Sequence, residues 1–222
     1  MLWLVLLFLV VIGVILGLLF FIIATEGRYF GKRLLRWGYN RRSVAFEVRD
    51  DWELWENLIK RLNIRNSEEL LDLGTQTGHL PRLVARKRGF EGHVVGIDWS
   101  EEMILEARRQ SRLEGSASRT RFLCRDVQES LPFENDSFTL VTCVTGLLNG
   151  LKSPELLFNE IQRVLKVKGL VAFRLDSQPR RSTAIRQPAW FTKRLEPLGF
   201  QHTETVPWTP QHTILIFQLL EK

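Results

Sequence analysis

Asp72, Asp98 and Asp126 each follow a short apolar run, and the loop Leu73-Gly74-Thr75-Gln76-Thr77-Gly78 lies between the first and the second. A carboxylate at the end of a strand can accept hydrogen bonds from a ligand. Glycines in a tight loop let the backbone approach that ligand and turn into a helix. Taken singly, an Asp at a strand end is usually a turn or helix-cap residue. Three of them in succession, with a glycine loop after the first, place three carboxylates on one rim. Other chemistries have less behind them. Cys124 and Cys143 form no CxxC pair, which reads as buried free thiols and gives no metal site. His202 and His212 near the C-terminus are read as strand-surface residues. No catalytic residue stands out.

These residues need a scaffold that aligns strand ends. Helical apolar spacing covers Trp52 to Leu62, and strands are expected at Leu70 to Leu73, His93 to Ile97, Arg121 to Cys124, Phe138 to Val144 and Leu170 to Leu175. Between them lie helical stretches from the glycine loop to about Lys87, from Ser100 to about Leu113, and from Pro154 through Leu165. Ser100 is a natural N-cap, with Glu101 and Glu102 in the first turn. Trp190 to Leu198 reads as a helix ending at Gly199. Two last strands, about Phe200 to Val206 and Thr213 to Leu220, flank a Pro-Trp-Thr-Pro turn. Strands alternating with helices imply a parallel sheet covered on both faces. The last two strands are joined by too short a link for a helical crossover and must pair antiparallel. The expected fold is therefore α/β: a Rossmann-like, seven-stranded, mostly parallel sheet with an antiparallel last strand. Ligands of such sheets sit outside the carboxyl ends of the strands.

Four segments then resemble the class I S-adenosylmethionine-dependent methyltransferases, in particular the small quinone and lipid methyltransferases. They are Leu71-Asp72-Leu73-Gly74-Thr75-Gln76-Thr77-Gly78, Val95-Gly96-Ile97-Asp98-Trp99-Ser100, Arg125-Asp126-Val127 with Leu131 to Phe138, and Glu160 to Lys166. The resemblance covers roughly Ser67 to Gly169 and implies S-adenosylmethionine as cofactor. It implies a cofactor site made of Asp72, Gly74, Thr75, Gly78, Asp98, Trp99, Asp126, Val127 and Thr145. Asp98 would accept from the ribose hydroxyls and Asp126 from the adenine amino group, with Val127 and Trp99 beside the base. Asp72 would steady the loop and the methionine end. A nicotinamide dehydrogenase would need G-x-G-x-x-G, and here the run is Gly74-x-x-x-Gly78. Three positions depart from the family. Gln76 replaces the middle loop glycine, Thr139 stands where Asp is common, and Val167-Lys168-Gly169 replaces Pro-Gly-Gly. Gln76 keeps open a second reading, a non-catalytic scaffold with the same fold.

The first 25 residues carry no charge, and Leu2 to Ala24 is apolar apart from two glycines. At 1.5 Å per residue this stretch reaches roughly 35 Å, enough to cross a bilayer core of ~30 Å. It lacks the basic start and small-residue cleavage site of a secretory signal. The net charge of +6 is local: six basic residues against Glu26 over residues 26 to 42 give +5, leaving +1 elsewhere. A nucleic-acid-binding domain would spread its charge, so no nucleic acid is expected. Residues 1–25 are read as a transmembrane helix, 26–48 as a basic juxtamembrane segment near membrane lipids, and 49–222 as the methyltransferase domain. Basic residues stay on the cytoplasmic side, which puts the N-terminus outside and the domain in the cytoplasm. A tethered domain meets membrane molecules at high effective concentration, so the expected acceptor is small and lipid- or quinone-like. A soluble or protein substrate is the other enzymatic reading. A lid would come from Asp50 to Leu62 and from Ser177 to Ala189.

Overall fold

The structure, a computed structural model, describes residues 2–24, 31, 52–151, 153–176 and 187–222. Seven strands form one sheet in the order β3-β2-β1-β4-β5-β7-β6. They are β1 (Glu69–Leu73), β2 (His93–Asp98), β3 (Thr120–Cys124), β4 (Phe138–Cys143), β5 (Leu165–Asp176), β6 (Phe200–Thr209) and β7 (His212–Leu219). Strands β1 to β5 are mutually parallel, and β7 runs antiparallel to both β5 and β6. The expected sheet, with its reversed last strand, is present.

Alternation along the strands divides the core into two layers. Leu71, Leu73, Val141, Val171, Phe173 and Leu215 point to one face. There α5 (Glu155–Val164) and α6 (Pro188–Leu195) cover them through Phe158, Ile161 and Phe191. Leu70, Val94, Leu140, Ala172 and Ile214 point the other way, toward α2 (Trp52–Arg61) and α3 (His79–Arg86), which supply Leu58, Leu80 and Val84. The helix α4 (Glu101–Leu113) packs Ile104 and Ala107 on Phe122 of β3. Its N-cap is Ser100, whose Oγ accepts from the Met103 N–H at 3.3 Å, as the sequence predicts.

Two boundaries differ from the sequence reading. The helix expected to run through Leu165 stops at Val164, and β5 starts at once. Leu165 pairs with Phe138 and Leu170 with Leu140, so the chain bulges between these pairs. Val167-Lys168-Gly169 lies inside that bulge, and Lys168 takes φ +69. The Pro-Trp-Thr-Pro segment is not all turn: β6 continues through Pro207 and Trp208 to Thr209, and only Pro210 and Gln211 separate it from β7. An outer strand tolerates a proline because its missing N–H breaks no ladder on the open side.

Among the described residues one more helix stands apart in composition. α1 (Leu2–Ala24) is apolar around its whole circumference, and Trp3 to Leu18 are all exposed. Its span Trp3–Ile23 has a mean hydropathy of 3.4, long and apolar enough to cross a membrane. The basic segment 26–48 lies outside the described residues except for Gly31, and so does the expected second lid from residue 177 to residue 186.

Candidate functional site

A cavity opens at the carboxyl ends of the parallel strands, where ligands of such sheets bind. Its empty space, counted out to the open mouth and including solvent there, is ≈ 890 Å³. Of the nine residues singled out in the sequence, Gly74, Asp98, Trp99, Asp126, Val127 and Thr145 line it.

Asp98 ends β2 and is almost fully buried. Its Oδ2 accepts from the Gln76 N–H at 3.0 Å and its Oδ1 from the Ser100 N–H at 2.9 Å. One carboxylate thereby ties the glycine loop to the start of α4. Since a carboxylate offers roughly four acceptor positions, this role is compatible with accepting from a ligand as well. The loop is pinned again by the Gly74 and Thr75 N–H groups, both donating to the Ile97 carbonyl. Gly74 has φ +74, and a Cβ there would lie 2.7 Å from the Thr145 hydroxyl. That hydroxyl donates to the Gly74 carbonyl at 2.6 Å, joining the ends of β1 and β4 across the cavity floor. Asp126 lies beyond β3, and its Oδ1 accepts from the Gln128 N–H at 3.1 Å. That Asx turn aims the segment with Val127 at the cavity.

Asp72, Thr75 and Gly78 stand behind this wall rather than on it. Asp72 is the penultimate residue of β1, paired with Gly96 and Thr142. Strand alternation turns it under the helices of the α3 side, opposite to Leu71 and Leu73. Only two of the three carboxylates therefore reach the rim. Burial pushes the Asp72 carboxyl up to about 7, against the hydroxyls of Thr142 and Thr75, which pull it down; the carboxylate of Asp98 adds to the rise. Thr142 Oγ1 donates to Asp72 Oδ1 at 2.7 Å. Thr75 packs against Gly96, where a Cβ would meet its hydroxyl. Gly78, at φ +78, precedes α3, and a Cβ there would strike the Phe122 ring and crowd Ala107. Its role is to let α3 start close against α4.

The three departures from the family take definite places. Gln76 sits on the cavity wall at φ +53, the left-handed region a glycine enters without the ~1 kcal/mol that other residues give up. Thr139 Oγ1 accepts from the Glu69 N–H and donates to the Glu69 carbonyl, a structural task at the start of β1. The third departure is the β5 bulge. Of the two expected lid segments, residues 52 to 61 form α2, none of which lines the cavity. Neither Cys124 nor Cys143 forms a disulfide.

Several cavity residues carried no signal in the sequence. Met103, Leu147 and Leu151 line it as ordinary apolar positions, and Arg125 and Gln128 flank Asp126. Gly146 and Arg174 complete the far end. A charged residue inside the otherwise apolar run Leu170 to Leu175 was the one available hint.

This arrangement of reversed sheet, glycine loop and strand-end carboxylate defines the α/β methyltransferase class. Residues 70–169 match the family described as a methyltransferase domain. Over 176 residues the chain is 30% identical to a demethylmenaquinone methyltransferase of Staphylococcus aureus (strain MRSA252), covering 77% of this chain and 69% of that protein. The chain belongs to the S-adenosylmethionine-dependent methyltransferases, and S-adenosylmethionine is its cofactor. Among solved structures, a SAM-dependent methyltransferase from Aquifex aeolicus superposes with a TM-score of 0.66 at 18% identity, over 78% of this chain and 96% of that one. The cyclase SpnF fits equally well, at TM-score 0.66 and 18% identity, over 77% of this chain and 81% of that one. Likeness at this level is likeness of fold, and one fold carries more than one chemistry.

Proposed function

We propose that this methyltransferase is anchored in a membrane by its N-terminal helix and methylates a small, lipid-like acceptor of the quinone type. The observation that carries the acceptor class is the 30% identity to proteins named for demethylmenaquinone. The anchor rests on α1, whose unbroken apolar surface suits hydrocarbon and no water-facing role. In this reading residues 1–25 span the bilayer with the N-terminus outside, 26–48 lie near anionic headgroups, and 49–222 form the cytoplasmic enzyme.

The residues fit the cofactor. Asp98 supplies a fixed carboxylate for the ribose hydroxyls, Asp126 an acceptor for the adenine amino group, and Trp99 and Val127 the apolar walls beside the base. Gly74 leaves room for the backbone to approach, and Thr145 holds that strand end in place. Asp72, Thr75 and Gly78 act through the loop they support. S-adenosylmethionine supplies a methyl group already activated on a sulfonium centre. The protein's task is then to align the acceptor and exclude water, and positioning alone can account for most of the rate.

The test is incubation of the full-length chain with methyl-labelled S-adenosylmethionine and a bacterial membrane extract containing reduced quinones. Label is expected in the organic-soluble quinone fraction, and an Asp98→Ala variant should abolish it. Label found only in aqueous metabolites or in protein would overturn the acceptor class.

A further inference from the structure

We propose that Arg174 forms an oxyanion subsite at the acceptor end of the cavity, so that the acceptor binds through an ionised oxygen: a phenolate, enolate or carboxylate.

The argument begins with the sheet. Asp98 ends β2, whereas Arg174 lies near the end of β5, and β1 and β4 stand between them. Three inter-strand steps separate the two by about 14 Å. Asp98 and Asp126 mark the nucleoside end of the proposed cofactor site, so Arg174 stands past the glycine loop, at the opposite end.

Arg174 is also held in place. Its Nε lies 2.9 Å from Asp176 Oδ1, and the same oxygen lies 3.5 Å from His212 Nε2. The register pairs Asp176 with His212 across β5 and β7, and the Thr209 hydroxyl contacts His212 Nδ1 at 2.8 Å. The far edge of the guanidinium lies over Gly146, where a Cβ would collide with Nη2. Asp176 engages the Nε side, while the Nη groups belong to a side chain that lines the cavity and is 19% exposed. A guanidinium edge presents N–H donors in a fork that matches an oxyanion.

The rest of the lining points the same way. Among the described residues no histidine, cysteine, lysine, tyrosine or glutamate lines the cavity. Gly146 lies against Arg174, and Leu147 and Leu151, which follow it in the chain, also line the cavity. Among the described residues, the lining at that end offers a cation and apolar surface and no base. An acceptor that arrives as its oxyanion has lost its hydroxyl proton before it binds.

The test rests on the quinone reading only through the choice of one probe. Full-length chain in nonionic detergent is titrated calorimetrically with 2-hydroxy-1,4-naphthoquinone, an enolate at neutral pH, and with 1-naphthoate. Neutral 1,4-naphthoquinone and S-adenosylmethionine serve as controls. Arg174→Gln should weaken both anions by about ten- to a hundred-fold and shift the two controls by less than about two-fold. Arg174→Lys, which keeps the charge and loses the fork, should fall between. Equal anion affinity in wild type and Arg174→Gln would overturn the subsite. So would a matching loss of S-adenosylmethionine affinity, which would assign Arg174 to the cofactor's own carboxylate, or failure of either anion to bind wild type. Binding of naphthoate alone, lost in Arg174→Gln, would support the subsite while counting against a quinone acceptor.

Discussion

Asp72 and Asp98 have the same side chain and neighbouring strand ends, yet their surroundings give them different tasks. Asp98 lines the cavity and holds two backbone N–H groups. In Asp98→Asn the charge is lost and one of those donors faces an amide N–H. S-adenosylmethionine affinity should fall at least about ten-fold, with a stability loss of about 1 kcal/mol, read by calorimetry and by urea unfolding. Asp72 is sealed in, and its carboxyl is raised from the ordinary 3.8 to about 7. Between those values the folded protein keeps a proton that the unfolded chain has released. Stability therefore declines as pH rises through this window and levels off above it. Asp72→Asn keeps an acceptor for Thr142 and removes the titration. Urea midpoints of ligand-free wild type should drop relative to the variant between about pH 4 and about pH 7. An unchanged difference would mean that Asp72 ionises like an exposed carboxylate.

Between elements, the segment Leu131 to Asn135 is held by α5. Glu160 Oε2 accepts from the Leu131 N–H at 2.7 Å, and Arg163 donates to the carbonyls of Leu131 and Phe133. This explains why Leu131-Pro132-Phe133 and the Glu160 to Lys166 stretch read together in the sequence: one is the clamp of the other. Arg163→Met would strand two carbonyls and should cost about 2 kcal/mol in urea unfolding. The Arg163 guanidinium beside Glu160 holds that carboxyl below its usual range. The clamp is therefore fully present above the ordinary carboxylate pKa and lost as pH falls through the lowered one.

Legibility follows the same physics. Strand runs and caps are readable because they are local: Ser100 caps α4, and β2 ends at Asp98, one residue beyond its expected end. The junction of α5 and β5 was not, because Leu165 is apolar and suits either element until its pairing with Phe138 decides. Asp72 was placed on the rim because position in the run is visible in a sequence, whereas which side of the sheet a residue faces depends on neighbours 20 to 70 residues away. Arg174 was missed for a related reason: what makes it part of the cavity, Gly146 and the β7 pairing, is not adjacent in the chain.

At the scale of the whole molecule, α1 is the element with the least to do in water. Deleting residues 2–24 should move the protein from the membrane pellet to the supernatant after lysis while leaving its S-adenosylmethionine affinity within about two-fold. A deletion variant that still pellets would place the anchor elsewhere. The proposed anchoring would also change what the sheet's open border must withstand. Copies held on one surface meet far more often than copies in solution, and an outer strand is a ready template for joining sheets end to end. β6 is poorly suited to that. It carries Pro207, the exposed charge of Glu204, and two breaks in register, at His202/Glu204 and Pro207/Thr209. The proline of the Pro-Trp-Thr-Pro segment thus guards against polymerisation, a hazard that the proposed anchoring would make greatest by crowding copies in two dimensions.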